Sequence, residues 1–508
     1  MGSDASLWSW GTVDEDKVVK VSDLFAGQQA YITGADVDVT GLIYDSRRVR
    51  PGALFAALVG ARFDGHDHVA KAIDGGAVAV LCEKDVEVGD ATLVLTPNTR
   101  LALARAAQAF FGDPAARMSM VGITGTNGKT TIVHLLEAIL RAAGKKVGVI
   151  GTLGTRFAGH EQVVGLTTPE SVDLVAMLAE MVNCGVQAVA MEVSSHALAQ
   201  ERAAGVDFNV AVFTNLTHDH LDYHGDADSY FAAKARLFRE RLTTGGSAVL
   251  NLDDARVASL VGTLPAARVI GFSLEEPVIE IAAVWPRTLH LDRSGFRARL
   301  QTPIGELEIS SPLLGRFNVQ NVLAAVAVAV ALEVESAAVA KGLAEVGQVP
   351  GRLEPVLAAG GPLVLVDYAH TPDALIKVLD AVREITDGRL ICVFGCGGDR
   401  DPGKRPSMGR VVAERADWAV LTTDNPRSED PRAIIADIEP GLAGSPHHVE
   451  VDRAVAIAVA VSQARANDVV VIAGKGHETY QIVGSQSRPF DDRAHARTAL
   501  AAAGFNPG

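Results

Sequence analysis

The chain has 508 residues, a formal net charge of −15 and four cysteines, Cys82, Cys184, Cys392 and Cys396. That length exceeds a single hydrophobic core and predicts about three domains, and the negative balance excludes a broad electrostatic nucleic-acid footprint. With 48% hydrophobic residues and a mean hydropathy of +0.19, the composition is that of an Ala/Val-rich globular protein; the cysteines make no disulfide framework, and Cys392 with Cys396 lack a second pair at metal-ligand spacing.

Met1 to Asp16 carries acids and no apolar core, so no secretory signal is predicted. The longest apolar stretch, Val319 to Leu332, is interrupted by Gln320 and Asn321 and is too short to span a bilayer. A reducing cytoplasm, without membrane insertion, is the expected compartment. Val18 to about Pro97 reads as a first α/β unit. It holds Leu42-Ile43-Tyr44, the polar run Asp45-Ser46-Arg47-Arg48, a strand from Leu54 to Val59, and a loop through Ala61, Arg62 and Phe63. Arginine and short polar residues at strand ends suit a nucleotide or sugar-phosphate ligand, and equally suit a solvated turn.

Asn98 to Phe111 is predicted as a helix broken by Gly112-Asp113-Pro114. The next stretch carries the strongest chemistry. An apolar strand through Met120, Val121 and Ile123 runs into Gly125-Thr126-Asn127-Gly128-Lys129-Thr130-Thr131. Ile132, Leu135, Leu136, Ile139 and Leu140 then fall on one helical face, ending at Gly144. Strand, Gly-rich loop and helix form a phosphate-binding device: backbone N–H groups approach the phosphates and the helix N-terminus adds positive potential. Lys129 suits the β- and γ-phosphates, and Thr130 suits Mg²⁺. The general P-loop pattern is incomplete, because Ile123 stands where its first glycine belongs.

Thr167-Thr168-Pro169-Glu170 predicts a helix start with Thr168 as N-cap and Pro169 in the first turn. The strand Ala188 to Val193 leads into Glu192-Val193-Ser194-Ser195-His196, and Val210 to Phe213 leads into the His/Asp run from Thr214 to Gly225. Ligands of open parallel sheets bind beyond the carboxyl ends of strands, so these two ends and the Gly-rich loop are expected to converge. Glu192 and His220 are candidate Mg²⁺ ligands; zinc and a plain polar loop are the alternatives. Tyr230 to Arg241 is helical by periodicity, and Lys234 on it reads as a surface lysine.

A β-rich stretch around residues 268 to 310 precedes an Ala/Val helix opened by Gly315 to Asn321. Asn318 and Asn321 share a face of it, as an adenine-reading pair or as capping amides. Near Val349-Pro350-Gly351-Arg352 the organisation resets. Strands Leu363–Val366, Leu390–Phe394, Trp418–Leu421 and Val469–Ala473 run into polar loops at Asp367, Gly395 to Asp401, Asp424-Asn425-Pro426-Arg427 and Gly474-Lys475-Gly476-His477-Glu478. They predict a doubly wound domain with a ligand crevice.

Taken in order, DSRRVRPG, GITGTNGKTT, TTP, MEVSSH, NLTHDHLDYHG, AAK, GRFNVQN, DYAHTPDAL, GCGGDRDPGKRP, DNPR and GKGHE resemble the motif series of the Mur ligases over about residues 20 to 500. The resemblance implies an α/β protein of three domains: an N-terminal UDP-binding domain (1–97), a central P-loop-type ATPase domain with a parallel sheet (98–348) and a C-terminal Rossmann-like domain (349–508). It implies a monomeric ATP- and Mg²⁺-dependent acid–amino-acid ligase of peptidoglycan precursor synthesis. Such a ligase activates the D-Glu γ-carboxylate of UDP-N-acetylmuramoyl-L-alanyl-D-glutamate as an acyl phosphate and joins it to meso-2,6-diaminopimelate. Lysine addition, another acid–amino-acid ligase such as a folylpolyglutamate synthase, and a nucleotide-binding scaffold are the alternatives.

By the same resemblance Thr130, Glu192, His220 and a carbamylated Lys234 hold metal, and Lys129 and Arg352 stabilise the transferring phosphoryl group. Gly125 to Thr131, Asn318, Asn321 and Asp367 bind ATP. Tyr44, Ser46, the loop from Ala61 to Phe63, Thr167, Thr168, Ser194, Gln200 and Arg202 bind the UDP-muramoyl dipeptide. Arg400, Asp424, Asn425, Pro426, Arg427, Gly474 and Glu478 receive diaminopimelate. Arg427 is the discriminating residue, because the extra carboxylate that separates diaminopimelate from lysine calls for a paired guanidinium. Closure of the domains is expected to belong to catalysis.

Overall fold

The structure is a computed structural model that describes residues 17–60, 63–162, 165–217, 219–264 and 266–507. The chain divides into two compact units: one runs to Gly271 and takes in 331–334, and the other comprises 272–330 and 335 onward.

The first unit opens with a sheet in the order Tyr31–Thr33, Thr92–Leu95, Ala79–Cys82, Ala53–Ala56, Gly41–Ile43. It is parallel except for the antiparallel edge strand Tyr31–Thr33. The strand expected over Leu54 to Val59 ends at Ala56, because the chain turns there: the N–H of Leu58 donates to the Ala56 carbonyl at 3.0 Å, and that of Gly65 to Leu58 at 2.9 Å. The predicted helix forms over Thr99–Phe111. The Asn98 side chain caps it by accepting from the Leu101 N–H at 3.0 Å, and Gly112 at φ 72° stops it. Its buried residues Ala102, Leu103, Ala106 and Phe110 join Leu54, Leu81 and Val94 of this sheet to Met120, Leu178 and Val189 in one continuous core. Where the sequence pattern breaks at residue 97, the packing does not.

The second sheet of this unit has the parallel order Val147–Gly151, Ala188–Glu192, Ser119–Thr124, Phe208–Phe213, Leu242–Asn251. The hairpin strands Gly154–Phe157 and His160–Gln162 extend it antiparallel. Its central strands are buried on both faces, which is why they read as near-continuous apolar runs. Glu192 pairs with Ile123 and Phe213 with Thr124, so three strands end level. The helices Lys129–Ala142 and Ala227–Glu240 follow the predicted periodicity. The expectation for Thr168 and Pro169 is corrected: the helix spans Ser171–Asn183 with Glu170 at its N-cap position. Thr168 is engaged elsewhere, its hydroxyl donating to the Glu192 carbonyl at 2.9 Å and accepting from the Ser194 N–H at 3.1 Å.

In the second unit the β-rich stretch is an antiparallel meander of Ala283–Asp292, Gly295–Thr302 and Gly305–Ser311. The helix Arg316–Ala331 is buried almost all round, as its uniform Ala/Val composition requires. A further sheet has the order Glu354–Val356, Leu363–Asp367, Val469–Ala473, Leu390–Phe394, Trp418–Leu421, His447–Val449. All its pairings are parallel except that of Glu354–Val356. The two edge strands escape the sequence pattern because neither is an apolar run. Among the described residues, no helix is long and apolar enough to cross a membrane.

One ion pair ties this sheet's loops together. Arg453 and Asp492 are both fully buried and meet through two bonds of 2.8 and 2.7 Å. The guanidinium also donates to the carbonyls of Thr423 (3.1 Å), just beyond the strand Trp418–Leu421, and Ala473 (3.0 Å), at the end of Val469–Ala473, two strands separated in the sheet by Leu390–Phe394. Breaking such a pair leaves an uncompensated buried charge, whereas replacing both partners removes the desolvation cost as well. Arg453→Met is therefore expected to lower stability by about 3–5 kcal/mol in chemical denaturation, and Arg453→Met with Asp492→Leu to recover much of that loss. Equal losses in the single and double variants would contradict this account.

Candidate functional site

The Gly-rich loop follows the strand Ser119–Thr124 and is shaped from outside. Gly125 sits at φ 139° and Gly128 at φ 92°, backbone that side-chain-bearing residues rarely adopt. A Cβ on Gly125 would also run into the Thr214 hydroxyl. The residues after the strand Phe208–Phe213 clamp the loop. Thr214 Oγ1 donates to the Asn127 carbonyl at 2.5 Å, the Asn127 N–H to Asn215 Oδ1 at 3.0 Å, and the Thr126 N–H to the Asn215 carbonyl at 2.9 Å. Thr131 is buried behind the loop.

Two lysines converge on one carbonyl. Lys129 Nζ donates to Gly125 and Thr126 at 2.9 Å each, and Lys234 Nζ to Gly125 at 2.8 Å. Lys234 is 1% exposed and lies 4.5 Å from the centroid of the Tyr230 ring. Helical periodicity alone suggested a surface lysine; the structure overturns that. Burial and the neighbouring Lys129 cation hold the Lys234 amine well below the usual lysine range, which favours a neutral, nucleophilic nitrogen.

Glu192 is also 1% exposed. Its carboxylate accepts from Thr130 Oγ1 (2.9 Å), the Thr152 N–H (2.8 Å) and Thr152 Oγ1 (3.2 Å). These donors are neutral, and among the described residues no cationic side chain pairs with it. A buried carboxylate beside a hydroxyl, without a cationic partner, fits a hard oxygen-seeking ion such as Mg²⁺. No cluster of three or more His, Cys, Asp or Glu side chains able to hold a metal occurs among the described residues, and Thr130 Oγ1 and Glu192 Oε1 supply two oxygens 2.9 Å apart. His220 adopts φ 52°, and burial, with the Lys129 cation nearby, lowers its pKa against the opposing pull of the Asp219 carboxylate. His196 packs edge-on against it at 4.8 Å between centroids.

Of the residues expected to take the UDP-muramoyl dipeptide, Thr167, Thr168, Ser194, Gln200 and Arg202 form a connected set. Thr167 Oγ1 lies 3.2 Å from Thr152 Oγ1. Ser194 caps the helix Ser195–Ala199. Arg202 donates to Gln200 Oε1 at 2.5 Å and to the Thr168 carbonyl at 3.3 Å, and Gln200 donates to the Tyr223 hydroxyl at 3.1 Å. Glu170 joins Arg202 (3.2 Å) to Arg100 (3.0 Å). The Tyr44 hydroxyl bonds to Asp173, while Ser46 stands in the turn beyond the strand Gly41–Ile43. Ala61, Arg62 and His218 lie outside the described residues; Phe63 is exposed.

In the second unit Asn321 Nδ2 donates to Asn318 Oδ1 at 3.0 Å, and Asn318 Nδ2 to the Leu314 carbonyl at 2.8 Å. The pair thus shares one helix face as expected. Asp367 accepts from the Leu353 and Ala369 N–H groups at 2.8 and 2.7 Å, and burial raises its pKa. The Arg352 guanidinium lies 5.1 Å from the Tyr368 ring centroid, with its Nε buried and unbonded.

The loops at Asp424 and Gly474 meet. Asn425 Nδ2 donates to Glu478 Oε2 at 2.9 Å, and at Gly474 (φ 117°) a Cβ would press within 2.9 Å of Asp424 Oδ2. Pro426 is buried. Arg427, at φ 50°, donates from Nη1 to the Gly398 carbonyl at 2.7 Å, and Arg400 on that neighbouring loop is exposed. Sequence reasoning missed the parts that organise these sets: Thr152, directly after a buried strand; Glu170 and Arg100; Arg453 with Asp492; and Lys475, inside a quoted motif but given no role.

Family models match most of the chain: the Mur ligase family catalytic domain over 38–138, the Mur ligase middle domain over 123–329, and the glutamate ligase domain of Mur ligases over 351–476. The chain belongs to the Mur ligase family. It is 47% identical to a UDP-N-acetylmuramoyl-L-alanyl-D-glutamate--2,6-diaminopimelate ligase of Gloeobacter violaceus, over 92% of this chain and 94% of the relative. It is 45% identical to a protein of the same name from Geobacillus thermodenitrificans, over 92% and 96%. A solved structure of a ligase of that name aligns at a TM-score of 0.70 and 34% identity, covering 96% of this chain and 99% of that one.

The loop geometry sets an expected contrast. Gly125→Ala adds both backbone strain and a collision with Thr214, whereas a Cβ on Gly144 (φ 75°) meets nothing within 4 Å. In thermal unfolding Gly125→Ala should cost about 2–3 kcal/mol and Gly144→Ala about 1 kcal/mol. Indistinguishable melts would show that the Thr214 clamp does not shape the loop.

Proposed function

We propose that this Mur ligase adds meso-2,6-diaminopimelate to the D-Glu γ-carboxylate of UDP-N-acetylmuramoyl-L-alanyl-D-glutamate with consumption of ATP, in peptidoglycan precursor synthesis. The observation that carries the choice of amino acid is Arg427. Its guanidinium is oriented by the Gly398 carbonyl, in a loop whose Asn425 bonds to Glu478. A second carboxylate on the incoming amino acid gives that cation a partner. Lysine would leave it unpaired. Relatives over nine-tenths of the chain carry the name of this reaction.

A free carboxylate is a poor acyl donor, because its oxygen does not leave at useful rates. In the proposed reaction a γ-carboxylate oxygen attacks the terminal phosphorus of ATP, the bond to the ADP oxygen breaks, and an acyl phosphate forms. The amine of diaminopimelate then attacks the acyl carbon and inorganic phosphate departs with its oxygen. Positioning and charge stabilisation are the protein's share of phosphoryl transfer. The Gly125–Gly128 backbone supports a phosphate cradle, Lys129 supplies a cation at its mouth, and Arg352 is a second cation for the developing charge. Thr130 and Glu192, with His220, would hold Mg²⁺, which when bound neutralises phosphate charge. Asn318, Asn321 and Asp367 are assigned to the nucleotide, and the set from Tyr44 to Arg202 to the UDP-muramoyl dipeptide. Domain boundaries near 97 and 348 accompany this reading.

Lys234 is proposed to be carbamylated. Its environment, a carbonyl, an aromatic face and a neighbouring ammonium, favours the neutral amine that adds to CO₂, and the carbamate so formed is an anionic oxygen donor of the kind Mg²⁺ prefers.

Purified protein with ATP, Mg²⁺ and the UDP-dipeptide should release phosphate with meso-diaminopimelate and little with lysine; equal use of lysine would overturn the specificity. Arg427→Ala should raise the diaminopimelate KM by about tenfold to a hundredfold, and Lys129→Ala should slow phosphate release by about 10²–10³. In ¹³C-bicarbonate the wild-type protein should show a carbamate resonance that Lys234→Met lacks; a resonance retained in the variant would place the modification elsewhere.

A further inference from the structure

Lys475 is completely buried, yet it stands in the middle of the polar wall formed by the Asp424 and Gly474 loops. Its Nζ donates to Asn425 Oδ1 at 3.1 Å and to Glu478 Oε2 at 3.0 Å, and lies 3.8 Å from Asp424 Oδ1. The Tyr480 ring covers it, with the centroid 5.6 Å away. An ammonium is a donor with no acceptor capacity, so these contacts impose directions on their neighbours. Asn425 Oδ1 accepts from both Lys475 and the Ile482 N–H (3.0 Å), which fixes the amide so that its NH₂ faces Glu478. Glu478 Oε2 thereby receives two donors. Asp424 Oδ1 is buried and has no hydrogen-bond partner, an open acceptor beside a cation.

We propose that Lys475 is a positioning residue for the incoming amino acid, presetting Asp424, Asn425 and Glu478 to receive one ammonium group. The inference rests on the diaminopimelate reading above and goes beyond it by assigning the residue that organises the pocket. The argument is charge balance with geometry. Asp424 and Glu478 alone would be two uncompensated carboxylates in a nearly dry wall; such pairs repel or share a proton. Lys475 reduces the wall to a single net negative charge, which complements the ammonium of an amino-acid centre, while Arg427 serves its carboxylate. Because Lys475 is buried behind the side chains it orders, it acts through them rather than on the substrate. Pre-ordering of this kind lowers the cost of binding without altering the phosphoryl-transfer machinery.

The test is steady-state phosphate release at saturating ATP and UDP-dipeptide with meso-diaminopimelate varied, using the full-length protein and its Lys475→Met and Lys475→Arg variants. Lys475→Met should raise the diaminopimelate KM at least about tenfold, with kcat and the KM for ATP changed by less than about threefold, and Lys475→Arg, which keeps the cation, should recover part of the loss. A diaminopimelate KM in Lys475→Met within twofold of wild type overturns the proposal. So do a parallel collapse of the ATP constants, the mark of a general packing defect, and an absence of any recovery in Lys475→Arg. Wild-type protein inactive with diaminopimelate would remove the reading above and this inference with it, whereas an active wild type with an indifferent Lys475→Met removes this inference alone.

Discussion

The first unit depends on a hydrogen-bond register. Pairing Glu192 with Ile123 and Phe213 with Thr124 brings three parallel strands to an end at one level. These strands are buried on both faces, so their polar residues are tolerated only where they end. The same register brings Glu192 to Thr130 and sets Thr214 and Asn215 against the Gly-rich loop. A slip of one residue would turn Glu192 to the opposite face of the sheet and would remove Thr214 from the space a Cβ on Gly125 would need.

Buried charge is handled in two ways. Arg453 and Asp492 satisfy each other and two strand-end carbonyls, and the result is a closed structural frame. Glu192 is left among neutral donors, an arrangement that is costly for an isolated ion and becomes favourable when a cation arrives to complete it, while Lys234, beside the Lys129 cation, is driven toward its neutral amine. Lys475 lies between these cases, since it neutralises part of a wall and leaves one charge and one unbonded oxygen of Asp424 open.

Much of the fold was legible. The strands Leu390–Phe394, Trp418–Leu421 and Val469–Ala473 occur where the apolar runs place them, because a doubly covered parallel strand needs every residue apolar and its end needs glycine or polar residues. Local signals failed where a distant group competed. Thr168 and Pro169 satisfy every local rule for a helix start, but the Glu192 carbonyl and the Ser194 N–H claim the Thr168 hydroxyl. His447–Val449 has no apolar run and joins the sheet only through its neighbour. Lys234 sits on an amphipathic helix in Ala-Ala-Lys-Ala-Arg, where nothing local distinguishes a buried lysine from a solvated one.

The sequence by itself determined the order of elements, the kinds of chemistry present and the membership of a family, because periodicity, glycine placement and motif order are properties of neighbouring residues. Tertiary structure alone decided which polar group meets which. Thr130 and Glu192 are 62 positions apart, Lys234 and Gly125 are 109, and Lys475 and Asn425 are 50. A hydrogen bond or a depressed lysine pKa depends on distances of a few ångströms and on the exclusion of water, and for partners so far apart along the chain both arise only when the sheets have paired and the loops at their ends have packed.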